Sequence, residues 1–346
     1  MSVSNKIGNL LRNYSPKIYY FITKSIILKA TYRFRAKSIF IMDQKGSSFK
    51  EYISENNMND RLLALKNGMD DYSKTTISTL YKRLLNYPEF SYGVKIKPTD
   101  NKPIGGLLEE EKIKINNSKL LKKEKIKIKT NHIDSSVFYF HHGLKVLPDK
   151  IQKMVGGGDF IDLGAFVGES ALILNQYNYK KIFSVDMSKV SIGNYKSNMA
   201  KNNISEDKFE VLNYAISDTN GDTIKFADSG SSGLSTNWES NTKDGIIEVP
   251  TITLDSLIGD YKINPSFIKM DIEGVALDCL KSGITSLKKY RPVMSIAIYH
   301  NPIEFFEVKP YLEAELDDYT FIVRKLSNTT QDFDCHAETI LLAYPN

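Results

Sequence analysis

Cysteine is scarce in this sequence, which has only Cys279 and Cys335 among 346 residues. Two cysteines cannot form a disulfide framework, and no cluster of Cys and His has the spacing of a zinc site. We therefore expect the protein to work in a reducing compartment.

Long hydrophobic runs are also missing. The most apolar early stretch covers residues 18–28 and is interrupted by Lys24. A helix that spans a bilayer needs about 20 apolar residues, and the stretch lacks the small-residue cleavage site of a secretory signal. We therefore expect no transmembrane segment and a cytoplasmic protein, at most peripheral at a membrane surface.

Acidic residues are few in the first part of the chain. Residues 1–130 contain 26 Lys and Arg against 12 Asp and Glu, whereas residues 131–346 contain 20 against 29. This asymmetry predicts two functional units, a basic N-terminal region over 1–130 and an acidic domain over 131–346. The basic region is expected to meet an anionic surface or to associate with a second copy of itself.

The pattern within residues 1–130 predicts mostly helices. Residues 1–40 have loosely helical spacing, which suits either a helix packed on its neighbours or a helix on a membrane surface. The period is clearly helical over 48–87, with Asp70 and Asp71 at the start of one helix. Ile and Lys alternate over 109–130, which predicts a β-hairpin at the end of the region.

After Pro148 the pattern changes to short apolar strands that alternate with helical segments. This alternation is typical of an open α/β sheet. We predict an α/β fold with a Rossmann-like, seven-stranded and mostly parallel sheet that has helices on both faces.

The strongest local motif follows a predicted buried strand over 160–163. Gly164 lets the chain turn tightly and approach a ligand, and Gly168 allows close packing where a helix begins near Glu169. The next strand ends in Asp186, where a carboxylate can accept hydrogen bonds from ribose hydroxyls. These features together predict a nucleoside-binding unit, against the plainer alternative of a tight turn without a ligand.

Two classes of cofactor use such a unit. Dinucleotide enzymes need G-x-G-x-x-G so that helix N-terminal amides can hold a pyrophosphate, but here Phe166 stands where the middle glycine would be. S-adenosylmethionine (SAM) is cationic at its sulfonium and has no phosphate, and an acidic residue two positions before the first glycine suits it. The predicted SAM contacts are Asp162, Gly164, Ala165, Phe166, Gly168, Glu169, Ser170, Asp186, Met187 and Ala215.

Ionisable residues follow two later strands. A strand over 267–270 ends in Asp271 and Glu273, and a strand over 292–299 ends in His300. The carboxyl ends of parallel strands are where open α/β sheets bind ligands, so these three residues are the predicted catalytic group. We favour His300 as the base because its unperturbed pKa of about 6.5 lies near working pH, with Glu273 as the alternative base.

One tryptophan, Trp238, lies in a Gly- and Ser-rich segment over 229–238. The segment is either a loop with one packed aromatic or a platform for the acceptor, since loops carry specificity and Trp faces suit sugar rings. Trp238 and Tyr299 are the predicted acceptor contacts.

Six motifs follow one another over about residues 140–343. They are His142-Gly-Leu with Pro148, Phe160-Ile-Asp-Leu-Gly, Asn213-Tyr-Ala-Ile-Ser-Asp, Thr253-Leu-Asp-Ser-Leu, Ile268-Lys-Met-Asp-Ile-Glu-Gly and Ile298-Tyr-His. In this order they resemble the FkbM-type SAM-dependent methyltransferases. The family resemblance implies SAM as the cofactor and O-methylation of a saccharide, such as a surface polysaccharide, a flagellar glycan or a secondary-metabolite sugar.

The chain departs from that family pattern at three positions. Phe166 stands where the family usually has Asn, and Met187 where Pro often follows the carboxylate. Ala276 replaces a further Glu that is common in the family. Because a metal site would be built on that Glu, we predict no metal.

Two other functions are compatible with the pattern. The basic first part would suit a nucleic-acid methyltransferase, but the Asn/Asp-Pro-Pro-Tyr motif of base-amine methylation and a known RNA-binding module are both absent, so nucleic acid is not the expected partner. A catalytically idle binding or scaffold protein could keep the same fold. The retention of Asp162, Asp186, Asp271 and Glu273 together argues against it.

Overall fold

The computed structural model describes residues 39–41, 46–85, 94–96, 105–115, 117–128, 133–228, 246–327 and 336–346. Its strands are β1 Ile39–Ile41, β2 Val94–Ile96, β3 Asp159–Leu163, β4 Ile182–Asp186, β5 Phe209–Asn213, β6 Ala215–Ile216, β7 Thr223–Ala227, β8 Ile246–Ile252, β9 Pro265–Met270, β10 Val293–Ala297, β11 Tyr319–Lys325 and β12 Thr339–Pro345. Its α-helices are α1 Gly46–Glu55, α2 Met58–Lys66, α3 Asp71–Leu84, α4 Glu109–Lys112, α5 Asn117–Lys123, α6 Ser135–Phe138, α7 Asp149–Met154, α8 Glu169–Leu174, α9 Lys189–Lys201, α10 Leu254–Asp260, α11 Ala276–Ser282, α12 Ile284–Tyr290 and α13 Pro302–Glu315.

The main sheet has seven strands in the order β11-β12-β10-β9-β3-β4-β5. The five strands from β10 to β5 are parallel, and β12 is antiparallel to both β10 and β11. The predicted seven-stranded, mostly parallel sheet is therefore confirmed. A smaller sheet places β8 between β6 and β7, and β1 pairs with β2.

Both faces of the main sheet are covered by helices, because its strands are apolar on both sides. Along β3, Ile161 and Leu163 belong to one hydrophobic cluster and Phe160 to another, as the alternation of side chains along a strand requires. The first cluster includes residues from α1–α3 and α10–α13, and the second includes residues from α6–α9.

The predicted helices over 48–87 are confirmed as α1, α2 and α3. Asp70 caps α3 by accepting a hydrogen bond from the amide of Ser73 at 2.6 Å. On α13, Lys309 donates to the carbonyl oxygens of Ala64 and Asn67 at 3.2 and 2.5 Å. These helices therefore pack on the same core as the sheet. The helix expected over residues 1–40 lies outside the described residues as far as residue 38, and at Ile39 and Phe40 the expectation is wrong, because these residues belong to strand β1.

The predicted hairpin over 109–130 is wrong, because this stretch forms the helices α4 and α5. Glu111 accepts hydrogen bonds from the amide of Leu108 at 2.9 Å and from Arg83 at 2.6 and 2.8 Å. Three acidic residues stand in the first turn of α4, where they favour a helix. The alternating Ile residues pack against the core from the irregular segments around α4 and α5, so their alternation does not reflect a strand.

Within the described residues, every helix is too short or too polar to cross a membrane.

Candidate active site

The turn between β3 and α8 depends on two glycines in the left-handed region. Gly164 has φ +78°, and a Cβ there would lie 1.8 Å from the carbonyl oxygen of Asp271. The glycine is thus required where the ends of β3 and β9 meet, rather than only where a ligand approaches. Gly168 has φ +86°, and a Cβ there would lie 2.8 Å from side-chain atoms of Tyr195 and Met199, so its predicted role in close helix packing is confirmed.

The backbone amides of this turn already have protein acceptors. Those of Gly164 and Ala165 donate to the carbonyl oxygen of Val185 at 3.0 and 3.1 Å, and that of Gly168 donates to Ala165 at 2.9 Å. The amide of Phe166 donates to Asp186 at 2.7 Å. These four amides are therefore engaged within the protein and are not donors for a pyrophosphate.

Asp186 lies at the end of β4 and braces the turn. Besides Phe166, its carboxylate accepts a hydrogen bond from the amide of Ser188 at 2.8 Å. Burial raises the pKa of Asp186 although both amides act in the opposite direction. Each carboxylate oxygen can accept a further hydrogen bond, and Asp186 is only half-buried, so it can still bind a ligand hydroxyl.

Asp162 occupies a different environment from the one expected. Its side chain is fully buried, and its Oδ1 lies 3.1 Å from Lys269 Nζ. Lys269 also donates to the carbonyl oxygens of Leu163 and Gly164 at 3.2 and 2.7 Å. Asp162 therefore supports the turn from inside the protein through Lys269, and its direct contact with a cofactor stays a prediction.

The other predicted cofactor contacts surround the same turn. Ala165 and Ser170 are buried, and Glu169 is half-buried in the first turn of α8. Met187 follows β4 and packs against the small hydrophobic cluster that contains Ala215. Met187 and Ala215 thus share one small apolar cluster beyond β4, and their contact with an adenine stays a prediction.

His300 is buried between carboxylates from two elements. Its Nε2 lies 3.1 Å from Asp271 Oδ1 and 3.9 Å from Glu273 Oε2, and its Nδ1 lies 3.1 Å from Glu304 Oε2. Burial opposes the charged imidazole, but Asp271 and Glu304 outweigh it and raise the pKa of His300 to about 10. The assumption that His300 has an ordinary pKa is therefore wrong, and a protonated imidazolium is a poor general base at neutral pH.

The three predicted catalytic residues are brought together by two adjoining turns. Asn301 Nδ2 donates to the carbonyl oxygen of Gly274 at 2.8 Å, and Glu304 accepts from the amide of Ala276 at 3.0 Å. The side chains of Asp271 and Glu273 are 33% and 42% exposed, whereas His300 is 2% exposed. The two carboxylates, but not the imidazole, can therefore meet a ligand directly.

Asp271 and Glu273 differ in what the structure imposes on them, a shifted pKa at Asp271 and an uncommon backbone conformation at Glu273. Burial alone would raise the pKa of Asp271, but His300 and Lys269 hold it well below its usual range. Asp271 is consequently a permanent anion and a weak base. The residue at Glu273 has φ +54°, a left-handed backbone that is uncommon for a residue other than glycine and is often found at functional sites.

Tyr299 lies next to this group, with its hydroxyl donating to Glu338 Oε1 at 3.4 Å. Trp238, the other predicted acceptor contact, lies outside the described residues. The part of the chain that the structure describes contains no group of three or more His, Cys, Asp or Glu residues that could hold a metal ion.

Sequence reasoning missed several residues of the site. A lysine within a buried apolar strand, Lys269, was a signal that it has an anionic partner. Glu304 follows His300 at the i+4 spacing of a helix, which is also visible in the sequence. Glu338 reaches the site only through the pairing of β12 with β10.

The sheet order and the β3–α8 turn define a Rossmann-like methyltransferase fold. The model of the FkbM methyltransferase domain matches residues 152–331, which is more than half of the chain. The chain belongs to the FkbM methyltransferase family.

A solved structure shows the same fold. The chain is similar to methyltransferase FkbM from Methylobacillus flagellatus KT, with 18% identity and a TM-score of 0.52, over 86% of this chain and 61% of that one. It thus spans less than two thirds of that relative. An rRNA methylase from Streptococcus thermophilus has 12% identity and a TM-score of 0.37, over 62% of this chain and 98% of that one. No curated protein matches the sequence.

Proposed function

We propose that the protein transfers the methyl group of SAM to a hydroxyl of a saccharide or glycan. The observation that carries this proposal is the β3–α8 turn, whose amides at 164–166 and 168 are engaged by the protein beside the half-buried carboxylate of Asp186. A pyrophosphate would find these four amides already engaged, whereas the ribose of a phosphate-free nucleoside would find an acceptor in Asp186.

The charges of the site also suit SAM. Asp186, Asp271 and Glu273 present partly exposed carboxylates at the carboxyl edge of the sheet, and anionic groups favour a cationic ligand. When bound, SAM supplies a methyl group on a sulfonium that is already a good leaving group. Asp186 would hold its ribose, and Met187 and Ala215 would flank its adenine.

The acceptor side is polar and anionic, as a polyhydroxylated ligand requires. Carboxylates accept hydrogen bonds from hydroxyls, and the ring of Tyr299 adds an apolar face. The protein then has to hold the acceptor hydroxyl in line and to receive its proton, which is typically worth about 10²–10⁴-fold in rate. The charged His300 fixes Asp271 and leaves proton removal to a carboxylate.

Calorimetric titration of the purified protein with SAM and with NADH tests the proposal. We expect SAM to bind and NADH not to bind. Asp186→Asn should weaken SAM binding by at least tenfold because its amide group is a poorer acceptor for ribose hydroxyls. The matched control is Asp278→Asn on the exposed face of α11, which should leave SAM affinity unchanged. A protein that binds NADH and ignores SAM would contradict the proposal.

We further propose that the excess of Lys and Arg over residues 1–130 attaches the protein to an anionic surface or to a second copy. Screening acts over about 10 Å at 0.1 M salt, so this association should weaken as ionic strength rises. Sedimentation with phosphatidylglycerol vesicles and light scattering of the full chain at low and high salt would measure it. If the protein binds neither the vesicles nor a second copy of itself at low salt, the proposal is contradicted.

A further inference from the structure

Glu338 lies at the ligand edge of the sheet although it is distant from the other site residues in sequence. It directly precedes β12, which pairs with β10, and the amide of Ile298 donates to the carbonyl oxygen of Thr339 at 3.0 Å. This pairing brings Glu338 beside Tyr299 and His300, which follow the end of β10. The antiparallel strand thus supplies a carboxylate to the edge where the parallel strands end.

The backbone around Glu338 is held in an uncommon conformation. Its φ is +58°, and its carbonyl oxygen accepts a hydrogen bond from the amide of Leu326 at 2.8 Å. Nearby, a ring nitrogen of His336 lies 2.9 Å from the carbonyl oxygen of Tyr299. Such a conformation persists only where the surroundings enforce it, and these positions cluster at functional sites.

Charged groups from several elements act on Glu338. Burial, together with Asp134 before α6 and Asp271 after β9, raises the pKa of Glu338 to about 8, while Ser136 and His300 act in the opposite direction. The hydroxyl of Tyr299 lies 3.4 Å from Glu338 Oε1, and the side chain of Ser136 also hydrogen-bonds to this carboxyl group. A carboxylate with such a pKa is a much stronger base than an ordinary Glu and is suited to neutral pH.

One ring nitrogen of the buried His142, which lies near Asp271, lacks a hydrogen-bond partner in the part of the chain that the structure describes. His142 is 6% exposed, and its Nε2 has no hydrogen bond within the described residues. Burial and Lys269 lower the pKa of His142 to about 3, while the charge of Asp271 opposes them, so the imidazole is neutral and lies close to Asp271. An unpaired buried polar group costs free energy, so a ligand hydroxyl beside His142 would be stabilised by completing its hydrogen bonding.

We propose that Glu338 receives the proton of the acceptor hydroxyl, and that Tyr299, Asp134 and His142 form the polar lining of the acceptor subsite. This inference rests on the proposed function. As the bond from the acceptor oxygen to the methyl carbon forms, the bond from that carbon to sulfur breaks and sulfur keeps the electron pair. The hydroxyl proton moves to Glu338 and then to solvent.

Carboxyl labelling of the wild-type protein tests this role without a known acceptor. A water-soluble carbodiimide with glycinamide modifies protonated carboxyl groups, and peptide mass spectrometry identifies each one. At pH 7 we expect Glu338 to be modified far faster than Glu248, whose side chain is 61% exposed. The labelling of Glu338 should fall as the pH passes about 8, and Asp134→Asn should shift that fall to lower pH. Equal labelling of Glu338 and Glu248 at pH 7 would overturn the proposal.

SAM calorimetry separates this inference from the proposed function. Glu338→Gln should bind SAM as tightly as wild type, because Glu338 serves the acceptor. Loss of SAM binding in this variant alone would place Glu338 in the cofactor site and overturn the inference. If wild type itself does not bind SAM, the proposed function fails, and the labelling result still decides whether Glu338 is a strong base.

Kinetics provide the last comparison, with tritiated SAM and methyl glycosides of hexoses as acceptors. For any glycoside that wild type methylates, Glu338→Gln should lower kcat by about 10²–10⁴-fold and remove the rise of kcat with pH, at an unchanged KM for SAM. Full turnover in Glu338→Gln, with loss of turnover in Glu273→Gln, would assign the base to Glu273 and overturn the proposal.

Discussion

Raising the pH from 7 to 9 should destabilise the protein through His300. The folded pKa of about 10 lies above the unfolded value of about 6.5, so between these values the native state holds one more proton than the unfolded state. The free energy of unfolding should then fall by about 1.4 kcal/mol per pH unit, or roughly 2–3 kcal/mol from pH 7 to pH 9. This stabilisation is complete below pH 6.5 or so and is lost as the pH rises through about 10.

Urea unfolding followed by circular dichroism at pH 7, 8 and 9 measures this effect. The difference between wild type and His300→Gln should shrink with pH, since titrations common to both proteins cancel. The matched control is His141→Gln. Burial and two lysines lower the pKa of His141 to about 3, so its titration affects stability only below pH 7 and its variant should keep a constant difference from wild type.

A pH-independent difference between wild type and His300→Gln would refute the reasoning. His300 would then be neutral at pH 8 and free to act as the general base, as an isolated His usually is. Nitrogen NMR of the imidazole ring provides a direct check, because both ring nitrogens of His300 should remain protonated at pH 8.

Two further predictions concern stability and are measured by thermal or urea unfolding. Gly164→Ala should destabilise the fold strongly, since its Cβ would lie 1.8 Å from a carbonyl oxygen. The control Gly157→Ala has open space around its Cβ and should cost only about 1–2 kcal/mol of backbone strain. Equal losses of stability in the two variants would contradict this prediction. Arg83→Met removes two hydrogen bonds to the buried Glu111, which keeps Lys325 at 3.4 Å and the amide of Leu108, and should cost about 1–3 kcal/mol. Lys112→Met at an exposed pair should cost at most about 1 kcal/mol. An Arg83→Met variant as stable as wild type would show that the ion pair between Arg83 and Glu111 is not needed for stability.

Much of the fold could be predicted because it depends on local patterns. The apolar strand over 160–163, its glycine turn and the carboxylate of Asp186 lie within one short stretch of sequence. The same is true of α3, where Asp70 caps a helix whose apolar residues recur at helical spacing. In such stretches the backbone, the cap and the buried face agree, so the pattern alone indicates the structure.

The errors arise where distant residues decide the outcome. The hairpin was predicted from the alternation of Ile and Lys, but Arg83 draws Glu111 into a buried ion pair that only the tertiary structure reveals. In the sequence, His300 has no obvious partner, which suggests an ordinary pKa and a role as a base. In the structure, Asp271 at the end of another strand raises its pKa and makes it a cation. Glu338 could not be foreseen, because the pairing of β12 with β10 alone brings it to the site.

The central claim is that the β3–α8 turn binds SAM. A crystal structure with S-adenosylhomocysteine, the product of SAM after methyl transfer, tests it most directly. We predict that the ribose hydroxyls donate to the carboxylate of Asp186 and that the adenine lies beside Met187 and Ala215. A nucleoside bound elsewhere, or crystals at saturating ligand with none at this turn, would contradict the account.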